Sequence, residues 1–338
     1  MSEDNSDFRL VLVGAGNIAR TYLGAVERLD GVEVVGVVSR SGRRPEGGES
    51  LPVWGSISEA AGACDFDAVV LCTPNGVHHE GVAEAAGCGK HVLVEKVLDV
   101  TRENMERAIS ACEVAGVRLG VSYQRRWSPH NVVVKRLLES GELGRVFAAD
   151  MRVKFWRDAD YYASGDYRGG YAIDGGGPFI QQAAHQVDLM CWFFGIPDRV
   201  VSMLGTFAHE IEVEDHGVAM MRYADGMIGT LTASSACRPG FSPVLEVHST
   251  KGSFVMENDL ITRWEVEGVA NPAGEDGEFV VHSGADSAAV SDTSGHEAVV
   301  RDFVEAVREG RAPAVDGRDG ARATELVLRV YEGDVLKS

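Results

Sequence analysis

The spacing of hydrophobic positions changes once along this chain, near residue 123. Before that point, short apolar runs at 10–13, 32–38, 68–72, 91–94 and 117–121 alternate with stretches of helical periodicity. Nearly unbroken apolar runs suit strands buried on both faces of a parallel sheet. Helices are expected from 17 to near 29, from about 75 to 87, and over 102–115. After Tyr123 come a helix at 129–139, a turn at 141–144 and a strand at 146–155. Short strands follow near 200–208, 217–224, 227–235, 244–250, 252–257, 260–266 and 278–282. The segment Tyr223-Ala224-Asp225-Gly226-Met227 reads as a hairpin turn between two of them. Such a run predicts an antiparallel-rich sheet, unlike the first part. Residues 268–294, rich in Gly, Ala, Ser and Asp, read as a surface loop around one short strand, and helices at 296–309 and 319–333 close the chain.

In the first pattern, polar residues gather where strands end. The first strand runs into Gly14, Gly16, Asn17, Ile18 and Ala19 at the start of a helix. In a Gly-x-Gly-x-x-Gly/Ala turn, the first glycine makes the tight turn and the second admits a pyrophosphate close to the backbone. A small third residue lets the helix pack on the strand. Free N–H groups and the helix dipole then favour the anion. The second strand ends in Ser39-Arg40-Ser41-Gly42-Arg43-Arg44. A carboxylate here would bind the ribose 2′-hydroxyl and repel a 2′-phosphate, whereas a hydroxyl and guanidinium groups suit the phosphate. NADP is therefore expected over NAD. The third strand ends at Cys72 and leads into Thr73-Pro74-Asn75 with His78 close behind, where Asn75 is expected to cap the following helix. The fourth ends at Glu95-Lys96, which should carry Lys96 into the crevice beyond the strand ends. The expected cofactor contacts are Gly14, Gly16, Asn17, Ile18, Ser39, Arg40, Arg44, Cys72, Thr73, Pro74, Asn75, His78, Glu95, Lys96 and Gln124.

Composition narrows the setting. The 338 residues carry a formal charge of −19, which speaks against nucleic acid or anionic membrane as partners. No apolar run approaches membrane-spanning length, and the acidic first residues do not resemble a secretory leader. Six scattered cysteines, with no Cys-x-x-Cys pair, suit reduced thiols in a cytoplasm, and no metal-ligand spacing is present. The only lysines are Lys90, Lys96, Lys135, Lys154, Lys251 and Lys337. Salt adaptation and a GC-rich genome both account for so acidic and lysine-poor a chain.

With GAGNIA, the run TPNGVHHEGVAEAAGCGKHVLVEK resembles the Gfo/Idh/MocA family of glucose–fructose oxidoreductase and inositol dehydrogenase. The likeness extends through SYQRRWSP, YYASGDYRGGYAIDGGG, AAHQVDL, VEDHGVAMMRYADGMIGTL and HEAVVRDFVEAVREGRAPAVDG. It implies an α/β Rossmann domain over 7–122. An α+β domain with a large open, mostly antiparallel sheet would follow over 123–338, and this sheet would serve as the interface of a homodimer or homotetramer. It also implies an NAD(P)-dependent oxidoreductase acting on a sugar, sugar derivative or cyclitol. Two positions depart from the family. Val97 stands where proline usually follows Glu-Lys, so an ordinary trans bond is expected there. Gln181 stands where many members have Asp, four residues before a catalytic histidine.

A helix is expected to open directly after Asp174-Gly175-Gly176-Gly177, with Ile180, Ala183, Ala184, Val187, Cys191 and Phe194 as its core stripe. Gln181, His185, Asp188 and Trp192 would line a neighbouring face, with the three glycines allowing close approach before it. His185 is assigned as general acid/base and Lys96 as the residue that holds and polarises the reacting oxygen, roles that could be exchanged. Gln181 is a neutral hydrogen-bonding partner. Tyr123, Arg126, Trp156, Arg157, Tyr162, Arg168 and Asp174 are the expected substrate contacts. Two rival readings use the same scaffold: an NAD-dependent glycoside hydrolase that oxidises C3 transiently, and a non-catalytic NAD(P)-binding sensor.

Overall fold

A computed structural model describes residues 7–274 and 292–336. The expected strand at 278–282 lies outside them. The chain divides into two compact units, 1–124 with 290–321 and 125–289 with 322–338.

The first unit alternates strand and helix: β1 (Phe8–Val13), α1 (Asn17–Val26), β2 (Val32–Val38), β3 (Val53–Trp54), α2 (Ile57–Ala63), β4 (Ala68–Leu71), α3 (His78–Gly87), β5 (His91–Glu95), α4 (Arg102–Ala115) and β6 (Leu119–Ser122). The strands form one parallel sheet in the order β3-β2-β1-β4-β5-β6. The order reverses beside β1, so the carboxyl ends of β1 and β4 flank the switch point where such sheets bind ligands. Every residue of β4 is buried, as its apolar run requires. Helix α4 has sharp ends because Thr101 Oγ1 accepts the Asn104 N–H at 3.1 Å and Gly116 closes it in the left-handed region.

The second unit holds α5 (Pro129–Glu139), β7 (Val146–Lys154), α6 (Ala159–Ala163), α7 (Ala184–Phe194), β8 (Arg199–Gly205), β9 (His216–Arg222), β10 (Ile228–Ser234), β11 (Val244–Ser249), β12 (Gly252–Glu257) and β13 (Leu260–Val266). Its sheet runs β13-β12-β11-β7-β10-β9-β8, antiparallel at every pairing except β7 with β10. Tyr223 and Met227 close the expected hairpin between β9 and β10, with the Tyr223 N–H donating to the Met227 carbonyl at 3.0 Å. One face buries Ala149, Met151, Val153, Ala219, Met221, Leu231, Ala233, Leu245 and Val247, and α7 packs against β7 and α5.

Residues 290–321, read from sequence as part of the second domain, group with the first unit. Helix α8 (Ser294–Glu309) buries Val299, Val300, Phe303 and Val304. The Phe303 ring sits so close to Gly120 of β6 that a Cβ there would lie 2.9 Å away. The Val121 N–H also donates to the Val315 carbonyl at 3.0 Å, so this late segment covers the edge of the parallel sheet. Helix α9 (Gly317–Glu332) begins in the first unit and ends in the second.

The helix expected after Gly177 starts later, at Ala184. Between them the backbone closes by unequal steps: Ile180 and Gln181 both donate to the Gly177 carbonyl at 3.3 and 3.1 Å, and Ala183 donates to Pro178 at 2.8 Å. That mixture does not propagate a regular α-helix.

Candidate active site

Gly14 has φ +108°, and a Cβ there would lie 2.7 Å from the Cys72 carbonyl, so the loops after β1 and β4 meet at this glycine. Gly16 faces open space and stands at the N-cap position of α1. No side chain caps that helix, and its first turn carries no acid. Ala19 is fully buried, as a small third residue should be. An open helix N-terminus at a switch point fits a pyrophosphate. After β2, Ser39 Oγ lies 3.2 Å from Ser41 Oγ, and Arg43 Nε donates to Ser41 Oγ at 3.1 Å. Arg44 turns back to donate to the Leu51 carbonyl at 2.7 Å, which makes it a brace of its own loop rather than a ready phosphate ligand. Arg40 is exposed and has no hydrogen bond or ion pair among the described residues.

Several of the expected cofactor-binding residues also make contacts within the protein. Asn75 does not cap α3: it opens a 3₁₀ turn, Asn75–Val77, behind Pro74, and α3 starts after Val77 without a side-chain cap. His78 is fully buried, with Nδ1 2.7 Å from the Val97 carbonyl and Nε2 2.8 Å from the Thr73 carbonyl. Both ring nitrogens are thus spent tying the loop after β4 to the loop after β5. Burial lowers its pKa, while the two carbonyls, Asp99 and Glu95 work the other way. The buried Glu95 carboxylate accepts the Tyr22 hydroxyl at 2.7 Å and lies 3.7 Å from His296 Nε2. Burial would raise its pKa, but His296, Tyr22 and Lys96 together hold it below the usual value. Burial and that carboxylate push the Cys72 thiol well up. The Lys96–Val97 peptide is cis, not trans as expected, at a point where Val97 is buried and its carbonyl is held by His78. Lys96 itself is half-buried at the end of β5. The side chain of Gln124 packs on Gly295, and its buried Oε1 has no donor within reach among the described residues.

In the second unit the expected substrate residues separate into two groups. Arg126 is buried against Asp188, with Nε and Nη2 donating to the two carboxylate oxygens at 2.8 and 2.6 Å. Tyr123, in the first unit, is fully buried. The buried Asp174 carboxylate accepts the Gly169 N–H at 2.9 Å, while its carbonyl accepts Gln181 Nε2 at 2.5 Å. These residues are occupied in holding the chain, and Gln181 lies in the irregular turn, off the α7 face that carries His185 and Asp188. Two of the three glycines also have an internal role. A Cβ on Gly176 would lie 1.9 Å from the Tyr331 hydroxyl, and one on Gly177 would lie 1.9 Å from the Glu214 carbonyl. Glu214 accepts the Gly177 N–H at 3.2 Å and the Tyr331 hydroxyl at 3.0 Å, and burial pushes its pKa up to about 7.

Trp156, Arg157, Tyr162 and Arg168 form the second group, together with residues that the sequence did not single out. Rings run from Trp156 through His209, with centroids 5.4 Å apart, to Tyr162 at 4.8 Å and Tyr161 at a further 5.1 Å. Arg157 and Arg168 both lie over the Tyr161 ring, at 5.3 and 4.4 Å. Gln182 Nε2 donates to the Tyr161 hydroxyl at 3.2 Å, which joins this cluster to the turn before His185. Burial pushes the Tyr162 hydroxyl up to about 12. Tyr161, Gln182 and His209 lie in loops or short elements without a repeating pattern, so only the density of aromatic residues at 156–171 signalled them.

The family model described as an oxidoreductase family with an NAD-binding Rossmann fold matches residues 8–123, and the GFO/IDH/MocA C-terminal domain matches residues 132–255. The 4-carboxy-2-hydroxymuconate-6-semialdehyde dehydrogenase of Sphingobium is 27% identical over 90% of this chain and 92% of its own length. Inositol 2-dehydrogenase of Rhizobium meliloti is 25% identical over 94% of each chain. The WlbA dehydrogenase from Bordetella pertussis, solved in complex with NADH and UDP-GlcNAcA, is 28% identical with a TM-score of 0.85, covering 97% of this chain and 96% of its own. With both halves matched in order, on a parallel nucleotide-binding sheet followed by an antiparallel-rich one, this chain belongs to the GFO/IDH/MocA family of NAD-binding oxidoreductases.

Proposed function

We propose that the chain transfers a hydride between a nicotinamide cofactor and a hydroxyl-bearing carbon of a sugar, sugar derivative or cyclitol. The observation that carries the reading is the uncapped, acid-free N-terminus of α1 at the switch point of a parallel sheet in which Lys96 directly follows β5. The cofactor, once bound, accepts or returns the hydride. Cofactor binding is assigned to the first unit and substrate recognition to the second. Lys96 is assigned to hold and polarise the reacting oxygen, and His185 to exchange the hydroxyl proton. Gln181 orders the turn before His185 through the Asp174 carbonyl. NADP is assigned as the preferred cofactor, because exposed Arg40 and Ser39 offer donors where NAD-specific sites present a carboxylate. The test is a cofactor-reduction screen over sugars, uronates, cyclitols and nucleotide sugars with both NAD and NADP. Substrate-dependent reduction is expected. Release of nitrophenol from a nitrophenyl glycoside without net NADH formation would favour the hydrolase, and cofactor binding without any turnover would favour the sensor.

The assembly assigned is a homodimer or homotetramer built on the open sheet face. Val201 pairs across strands with Met220, and Met203 with Val218; all four are exposed, as is Ile228 on β10. A contiguous apolar patch of this kind marks an interface. Light scattering should give a mass above the 36.3 kDa of one chain, and Met220→Glu should lower it. The six cysteines are all unbridged, which fits a cytoplasmic setting, and no helix among the described residues is long and apolar enough to cross a membrane.

A further inference from the structure

A chain with 51 acidic and 32 basic residues has carboxylates in excess, and several of its arginines use them. Arg9, Arg20, Arg28, Arg125, Arg126, Arg311, Arg318 and Arg329 each pair with Asp or Glu. Arg168 and Arg238 do not. Arg168 donates from Nε to Ser164 Oγ at 2.8 Å and from Nη1 to the Tyr161 hydroxyl at 2.9 Å, both neutral groups. Its guanidinium lies 4.4 Å from the Tyr161 ring centre and 5.4 Å from that of Tyr167. Arg238 lies 5.5 Å from the Trp156 ring centre and has no carboxylate within ion-pair distance among the described residues. Two cations are therefore held on aromatic faces at the two ends of the ring series Trp156–His209–Tyr162–Tyr161.

This arrangement has a consequence for recognition. A guanidinium fixed by neutral acceptors and rings keeps its full charge, and it keeps N–H groups free for a planar or tetrahedral oxyanion. Its side chain is already ordered, so little rotamer freedom is lost when a ligand arrives. The adjacent rings offer flat apolar faces to the C–H surface of a sugar, and Gln182 ties the cluster to the turn preceding His185. A neutral polyol would gain little from either cation.

We propose that this arginine–aromatic cluster, with Arg168 as its principal specificity-determining residue and Arg238 as a second, selects a substrate that bears an oxyanion. The substrate class is a sugar derivative carrying a carboxylate or a phosphate, in preference to an uncharged sugar or cyclitol. The proposal deepens the oxidoreductase reading and takes its catalytic readout from it, while the binding readout stands apart from it.

The test uses the full chain loaded with NADPH and titrated calorimetrically with three probes. D-glucose is neutral, D-glucuronate carries only a carboxylate, and UDP-glucose carries only phosphates. At least one anionic probe should bind more tightly than D-glucose, with an affinity that falls as KCl is raised. Arg168→Gln should weaken that probe about 10- to 100-fold while leaving D-glucose within about 2-fold. Arg238→Gln, at an exposed position that does not threaten folding, should weaken it in the same direction by a smaller factor. Carboxylate and phosphate are distinguished by which anionic probe responds. Equal binding of all three probes, no binding by either anion, or equal weakening of every probe in both variants would overturn the proposal. Arg168-dependent anion binding without cofactor turnover by that probe or any related anionic sugar would leave it standing and remove the oxidoreductase reading.

Discussion

The two units position their polar groups by different means. In the first, the sheet does the placing: Gly14, Cys72 and Lys96 each follow a parallel strand, so their positions come from the strand ends. In the second, the equivalent work falls to irregular chain between β7 and α7 and around β9. There buried carboxyl groups hold the backbone. Asp174 binds the Gly169 N–H, Glu214 binds Gly177, and Asp215 receives the N–H groups of Phe207 and Ala208 at 2.9 and 2.7 Å. A repeated strand supplies geometry through its backbone ladder, whereas a loop has to be braced. Substitutions of the second unit's buried braces should therefore lower stability, and those at the first unit's strand ends should mainly alter ligand binding or turnover.

The largest stability effect is expected at Arg126. Arg126→Met leaves the Asp188 carboxylate buried without its cation and should cost about 3–5 kcal/mol in chemical denaturation. The double change Arg126→Met with Asp188→Leu should recover most of it. Glu214 comes next. Its folded pKa of about 7 lies above the ordinary 4.5, so the folded protein holds a proton that the unfolded chain releases. Its contribution is complete below pH 4.5 and is lost as the pH rises through 7, amounting to roughly 3 kcal/mol. Glu214→Gln should flatten that decline in a series of melting curves from pH 4.5 to 8. Tyr22→Phe tests an exception in the first unit, since it removes a buried hydrogen bond to the Glu95 carboxylate. A loss of about 1.5–3 kcal/mol is expected. Arg40→Ala should be smallest in stability, within about 0.5 kcal/mol. It should weaken NADP about tenfold by fluorescence titration with little change for NAD. A destabilised Arg40 variant with unchanged NADP affinity would break the contrast.

The same division governs what could be read beforehand. Helices α4 and α5 begin and end at the expected residues because their limits are chemical: Thr101 and Gly116 for one, Pro129 at the start of the other. The β12 and β13 strands also fall where expected, since Asn258 and Asp259, both at positive φ, mark the turn between them. The two-residue β3 leaves no such mark. His78 was assigned to the cofactor because it follows a strand end, but that position says nothing of two carbonyls converging on one ring. Glycines 175–177 read as allowing close approach before the helix, and at Gly176 and Gly177 it is Tyr331 and Glu214, remote in sequence, that come close. The first unit's claim on residues 290–321 was hidden for the same reason, because it depends on which sheet edge α8 covers.

The proposed hydride transfer requires Lys96 to act at the reacting oxygen rather than as a grip on the cofactor. The direct measurement is kcat and cofactor Kd for Lys96→Ala, made on the substrate identified by the screen, with His185→Ala in parallel. Both variants should lose about 10²- to 10⁴-fold in kcat while cofactor Kd stays within about 3-fold. Retained turnover in either variant, or a loss confined to cofactor affinity, would contradict it.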